Sequence, residues 1–486
     1  MKESPPAASV TSAAAAEIPL PPTQYFPSTP WHWRAGILAG IIILGVAAYA
    51  LRQSIGLKGQ AAVGIVFFFG LVAAMSANLR AVNWRTIGWG IVLQVVLALL
   101  VLQAKFEING YQYSVYGAFQ QAGEGIKQLI EYSNAGAQFV FGFLAKPGAI
   151  APVLGDDNAF VFAFNALPPI LFVSALFTLL YHYGILQWLV RQLAHVMVYF
   201  MGTSGAETLS VAANVFMGQT EAPLIVKPYV PRMTQSELFT LMTSGMAHIS
   251  GGLMAIYIKY GADPVAVLTT CIMACPCSMY LAKLYMPEVS TPETSGTIQQ
   301  KREKSPYANG VDAIASGTGE GLRLALNVAA MLIVFVAFVA MINGVLGGLG
   351  SQLAAWTGWD VPPLSLEWIF AQVFSPVAFL MGIEEADQAR IGQLLGTKLA
   401  LNEHVAYLQM KAWKADPEIE ISQRSYQLAA FALTGFANFA SVGIQIGGIG
   451  AMAPERRGDL ARLGMRALFV GFVATLLNAA VAGLFI

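Results

Sequence analysis

"MGQTEAPLIVKPY", residues 217–229, sets a glutamine, a threonine and a glutamate side by side between a glycine and a proline, inside a chain apolar enough for lipid. Of its 486 residues, 56% are apolar and 11% are charged. Soluble domains carry roughly 25% charged residues, so a soluble reading is excluded. Lys+Arg and Asp+Glu both total 27, which leaves no net field to attract nucleic acid. Apolar runs of the ~20 residues needed to cross a bilayer recur near 35–51, 60–79, 87–105, 160–180, 238–258, 263–284, 325–347 and 464–485, with a ninth near 425–450. These runs are continuous and do not alternate in period two, which excludes a β-barrel. The fold class is an all-α membrane protein: a polytopic helical bundle of about nine transmembrane helices plus interfacial helices.

The quoted stretch belongs to an apolar segment, 205–233, too interrupted to be a plain span, and a second such segment lies at 388–412, containing Glu403. Paired Gly/Pro-interrupted segments in corresponding halves point to re-entrant hairpins around a central transport site. The polar stretch 287–316 divides the halves as an aqueous loop. Downstream of each hairpin, "SGMAHIS" (244–250) matches "TGFANFA" (434–440), setting Gly245 on Gly435 and His248 on Asn438. Inverted repeats with two re-entrant hairpins follow.

The remaining organisation reads as a disordered tail at 1–30, N-terminal transmembrane helices at 31–110, a first half at 111–286 that includes an amphipathic interfacial helix, and a second half at 317–486. Lys/Arg near Arg80, Arg85, Arg456, Arg457, Arg462 and Arg466 put the N-terminus in the cytoplasm and, with nine spans, the C-terminus outside. Cys271, Cys275 and Cys277 have no histidine near them in sequence and read as small packing residues.

A carboxylate at membrane depth defaults to a functional hypothesis. Glu221 and Glu403 are the two candidates, each with a competing structural reading as an ion pair, to Lys227 and to Lys398. Gln219, Thr220, Glu221, Glu403, Asn438 and Ser441 offer amide, hydroxyl and carboxylate groups without an Arg/Lys cluster. That set suits a neutral polyhydroxylated or heterocyclic ligand and disfavours a phosphorylated one. Phe436 stands close enough in sequence to pack on a ring.

"NVFMGQTEAPLIVKPYVPRMTQSELF" (214–239), "GQLLGTKLALNEHVAYL" (392–408) and "GFANFASVGIQIGGIGAMAPERRGDLARLGMRAL" (435–468) closely resemble the signature stretches of the concentrative nucleoside transporter family. The resemblance runs from about residue 60 to the C-terminus. It implies a plasma-membrane homotrimer in which a mobile transport part carries the two hairpins. It implies further that Gln219, Thr220 and Glu221 face the nucleobase with Leu253 as an apolar wall, while Glu403, Asn438 and Ser441 hold the ribose.

The resemblance carries the family's sodium site onto Asn214 and the carbonyl of Met217, with His248 standing at the hydroxyl position, and His248 and Ile249 count with them as ion-coupling candidates. Imidazole suits a hard cation poorly and titrates near neutral pH, so a proton is the expected coupling ion. Sodium and uncoupled transport remain as alternatives. His404 likewise replaces an aromatic residue of the family pattern. No cofactor and no enzymatic activity are expected, since zincin and Gly-x-Ser-x-Gly patterns are absent. A channel built on the same hairpins is the remaining rival.

Overall fold

The computed structural model describes residues 28–108, 111–146, 149, 152, 161–296, 305–358 and 362–486; most of the expected tail, and part of the polar loop, lie outside them. Three helices open the chain: α1 (Trp31–Ala50), α2 (Arg52–Ala74) and α3 (Trp84–Leu102). Strands β1 (Lys105–Ile108) and β2 (Tyr111–Ser114) pair antiparallel and lead into α4 (Val115–Phe141). Ser114 caps α4 by accepting from the Gly117 amide, and apolar residues at helical spacing bury one face of it, as expected of an amphipathic helix.

After α5 (Phe162–Asn165), α6 (Leu167–His182) and α7 (Ile185–Met201) comes the first hairpin. Its ascending limb is α8 (Gly205–Ala213), and its descending limb is two short 3-10 pieces, Ala222–Val226 and Val230–Arg232. Pro223, Pro228 and Pro231 explain that asymmetry, because each removes an amide donor from a would-be α-helix. A broken helix follows, α9 (Gln235–Ala247) and α10 (Gly251–Lys259), and then the buried α11 (Pro264–Tyr285).

The second half repeats this succession after α12 (Gly310–Thr357) and α13 (Leu366–Leu380). Hairpin 2 is α14 (Gln388–Ala400) and α15 (Glu403–Ala415), the broken helix is α16 (Gln423–Leu433) and α17 (Phe439–Met452), and α18 (Arg457–Phe485) closes the chain. The ninth expected span, 425–450, is therefore not one helix. It is interrupted at Thr434–Asn438, which leaves eight described segments long and apolar enough to span a membrane. The aligned stretches 244–250 and 434–440 straddle the two breaks. The longer Glu-to-Asn spacing in the second half arises because α15 and the turn after it occupy more chain than the proline-shortened limb of hairpin 1.

Gly435 permits the second break. Its φ is +148°, and a Cβ there would come within 3.1 Å of the carbonyl oxygens of Met246 and Ala247 at the first break. The Phe436 amide then donates to the His248 carbonyl at 3.0 Å, so the two interrupted helices satisfy each other's backbone. α18 packs against α2, α9, α11, α16 and α17, whereas α6 and α12 pack along one another.

Hairpin 1 is anchored at its base by two capping boxes, Ser204 with Glu207 and Thr234 with Glu237. Lys283 of α11 meets Glu207 at 2.7 Å and Glu288 at 3.5 Å, and Ser204 Oγ donates to Glu237 at 2.5 Å. Sequence reading assigned none of these residues. Arg456, one of the positive residues used to orient the chain, is buried and donates to the Pro231 and Met233 carbonyls at the same hairpin base.

Candidate functional site

Both hairpin tips and both helix breaks meet in the interior, and their side chains form one continuous run of hydrogen bonds. At the tip of hairpin 1, Gln219 Nε2 donates to Ser441 Oγ at 3.2 Å, and Gln445 Nε2 donates to Gln219 Oε1 at 3.2 Å and to the Met242 carbonyl at 3.0 Å. Gly245 makes this approach possible, since a Cβ there would stand 3.0 Å from Gln219 Cβ.

Asn438 is the N-cap of α17: its Oδ1 accepts from the Ser441 amide at 2.9 Å. This fixes the amide orientation, and Nδ2 donates to Glu403 Oε2 at 3.0 Å. The other carboxylate oxygen accepts from Tyr257 Oη at 2.8 Å. Asn402 caps α15, so Glu403 begins that helix at its positive end. The Lys398 pairing is not realised: its ammonium donates to the Ala432 carbonyl at 2.7 Å and to Thr475 Oγ1 at 2.9 Å.

The other candidates sit around this run. Leu253 (α10) and Phe436 are buried, and Thr220 packs against Gly448 of α17. Glu221 is exposed, its carboxylate folded back over Gly218, and it makes no ion pair with Lys227 among the described residues. The structure thus unites Gln219, Glu403, Asn438 and Ser441 by direct bonds and leaves Glu221 outside them.

A second polar cluster lies beside the first break. Asn214 Nδ2 donates to Ser244 Oγ at 3.1 Å, and His248 Nδ1 lies 2.8 Å from the Ser244 carbonyl. A carbonyl can only accept, so Nδ1 carries the proton and Nε2 presents a lone pair, 3.5 Å from Cys275 Sγ. Asn214 Oδ1 is buried and has no hydrogen-bond partner among the described residues. Met217 is partly buried and Ile249 fully so, both flanking this cluster in the chain.

His404 takes the place of an aromatic side chain. Its ring meets Phe162, Tyr257 and Tyr260 edge-on at 5.4, 5.9 and 5.3 Å, and Nε2 lies 3.1 Å from Tyr260 Oη.

Sequence reading missed Tyr257, Gln445 and Cys275. Gln445 carried a signal, as a polar side chain within an apolar span. Tyr257 did not stand out among the many aromatics, and the contact of Cys275 with His248 bridges 27 residues of sequence.

Two hairpin tips closing on two helix breaks is an arrangement that known proteins share. Family models described as the N-terminus and C-terminus of a Na+ dependent nucleoside transporter match residues 63–144 and 266–483, and one described as nucleoside recognition matches 163–264. A Haemophilus influenzae protein described as an uncharacterized transporter is 40% identical over 425 residues, covering 87% of this chain and 96% of its own. The chain belongs to the concentrative nucleoside transporter family. It is a multi-pass membrane transporter and not an enzyme.

Within the family, sodium/nucleoside cotransporter 1 of Mus musculus is 39% identical over 432 residues, covering 87% of this chain; the chain spans 63% of the length of that mammalian relative. The structure of CNTnw in an inward-facing, substrate-bound state superposes with a TM-score of 0.79 at 36% identity, covering 88% of this chain and 98% of that one.

Proposed function

We propose that this protein imports nucleosides across the plasma membrane by ion symport. The observation that carries the reading is the hydrogen-bonded run from Gln219 through Ser441 and Asn438 to Glu403, which presents one carboxylate among neutral donors and acceptors. Such a set matches a ribose and a base edge and provides no cation for a phosphate. Glu403, Asn438 and Ser441 take the ribose hydroxyls. Gln219, Thr220 and Glu221 take the base, between Leu253 and Phe436. Glu221 joins the site only when a ligand draws its carboxylate inward.

The hairpins and broken helices form the part that moves in elevator fashion, against a scaffold built on α6 and α12. The protein is a homotrimer with its N-terminus in the cytoplasm and its C-terminus outside. Specificity is tested by competition for labelled uridine uptake in proteoliposomes. Unlabelled uridine or adenosine competes, whereas free ribose, free uracil and uridine monophosphate at equal concentration do not; competition by ribose or by the monophosphate as strong as by uridine would refute the assignment.

The coupling ion in this reading is a proton, taken at His248. Its Nε2 lies 3.5 Å from the Cys275 thiol, the Cys271 carbonyl also approaches the ring, and Nδ1 is already committed to the Ser244 carbonyl. Protonation therefore needs no rearrangement of the ring. Sodium is the second reading, favoured by Asn214 Oδ1, buried without a hydrogen-bond partner among the described residues, and by the description of the mouse relative.

A further inference from the structure

We infer that Tyr257 is a positioning residue that sets the discrimination between ribose-bearing ligands and analogues lacking ribose hydroxyls, an inference that rests on the nucleoside reading of the site. The argument begins with the acceptor capacity of a carboxylate, about four lone-pair positions over two oxygens. Tyr257 Oη occupies one position on Oε1 at 2.8 Å, and Asn438 Nδ2 occupies one on Oε2 at 3.0 Å. Each oxygen keeps capacity for a further donor. The vicinal 2′- and 3′-hydroxyls of a ribose supply two donors side by side, one for each oxygen.

That match holds only while the carboxylate plane is fixed, and Tyr257 is built to fix it. Its ring is fully buried and stacks on Tyr407 with centroids 4.4 Å apart and planes 18° apart, while the edge of His404 closes another side. Tyr407 is itself held, its Oη bonded to the Ala430 carbonyl at 3.0 Å and to Thr434 Oγ1 at 2.8 Å. The hydroxyl on Glu403 is therefore carried on a rigid arm from α10, a different element from either hairpin. It needs no contact with the ligand to control which ligand fits.

The test compares uridine with 2′,3′-dideoxyuridine, which lacks both hydroxyls. Tyr257→Phe keeps the ring stack and removes only the bond to Glu403. The expected result is that the preference for uridine over the dideoxy analogue shrinks about tenfold, because uridine loses affinity and the analogue does not. Tyr280→Phe removes a comparably buried hydroxyl, one that donates to Gln94 and lies outside this arm, and should leave the ratio unchanged. The rise in Tm that each nucleoside gives the purified variants reads the same ratio independently of transport.

An unchanged ratio in Tyr257→Phe overturns the inference, whether uptake of both ligands falls together or neither falls. So does an equal change of ratio in Tyr280→Phe. Absence of uptake or binding of either nucleoside by the unmodified protein would instead refute the nucleoside reading itself.

Discussion

Glu403→Gln is expected to weaken uridine binding and uptake by about a hundredfold. The loss comes from geometry as much as from charge. Both carboxylate oxygens accept, from Tyr257 Oη on one and Asn438 Nδ2 on the other. A glutamine can satisfy the same two partners, its oxygen accepting from Asn438 Nδ2 and its Nε2 donating to Tyr257 Oη. It then offers a ribose one acceptor atom where the carboxylate offered two, so one of the two vicinal hydroxyls loses its partner.

Stability should change little by comparison. Lys398 donates to the Ala432 carbonyl and Thr475 Oγ1 and not to Glu403, so neutralising residue 403 strands no salt-bridge partner. Uridine affinity and the Tm without ligand, measured side by side, separate the two effects. Retained affinity in Glu403→Gln would remove Glu403 from the site.

His248→Ser is expected to exchange one coupling ion for the other. The substitution removes the imidazole that lies between the Ser244 carbonyl and Cys275. It sets a hydroxyl beside Ser244, which also bonds Asn214, whose Oδ1 is buried without a partner among the described residues. Hard oxygen donors of that kind suit a hard cation. Accumulation driven by a pH gradient should fall at least about tenfold, the scale of losing one favourable polar interaction, and a dependence on sodium should appear. Initial rates under each gradient, for the protein and the variant, read both changes; unchanged pH and sodium profiles would exclude His248 from coupling.

Much of the site was legible because it breaks the rules of its surroundings. Gly218, the Gln219–Glu221 triplet and Pro223 cannot continue an apolar span, and the structure turns the chain there. Asn438 and Ser441 were legible through the match of 434–440 with 244–250, and they lie at the corresponding break. The break itself was not foreseen. Residues 425–450 are mostly apolar, and the break rests on Gly435, with its positive φ and its closeness to the Met246 and Ala247 carbonyls, together with Asn438, which caps the helix that restarts there.

What stayed hidden depends on contacts between distant segments. Tyr257 meets Glu403 across 146 residues and Gln445 meets Gln219 across 226, and neither pairing leaves a local pattern in the chain. The limb after Glu221 is a loose 3-10 run that leaves its carboxylate exposed, and the competing ion pair with Lys227 is not made among the described residues. His404 was read as a departure from an aromatic pattern, and its ring meets Phe162, Tyr257 and Tyr260 edge-on.

The most direct measurement is uptake of labelled uridine and adenosine into proteoliposomes under an imposed pH gradient alone and under an imposed sodium gradient alone. Concentrative uptake of at least one nucleoside is expected, driven by the pH gradient without sodium. Accumulation driven only by sodium would contradict the role given to His248, and failure to accumulate either nucleoside under both gradients would contradict nucleoside symport.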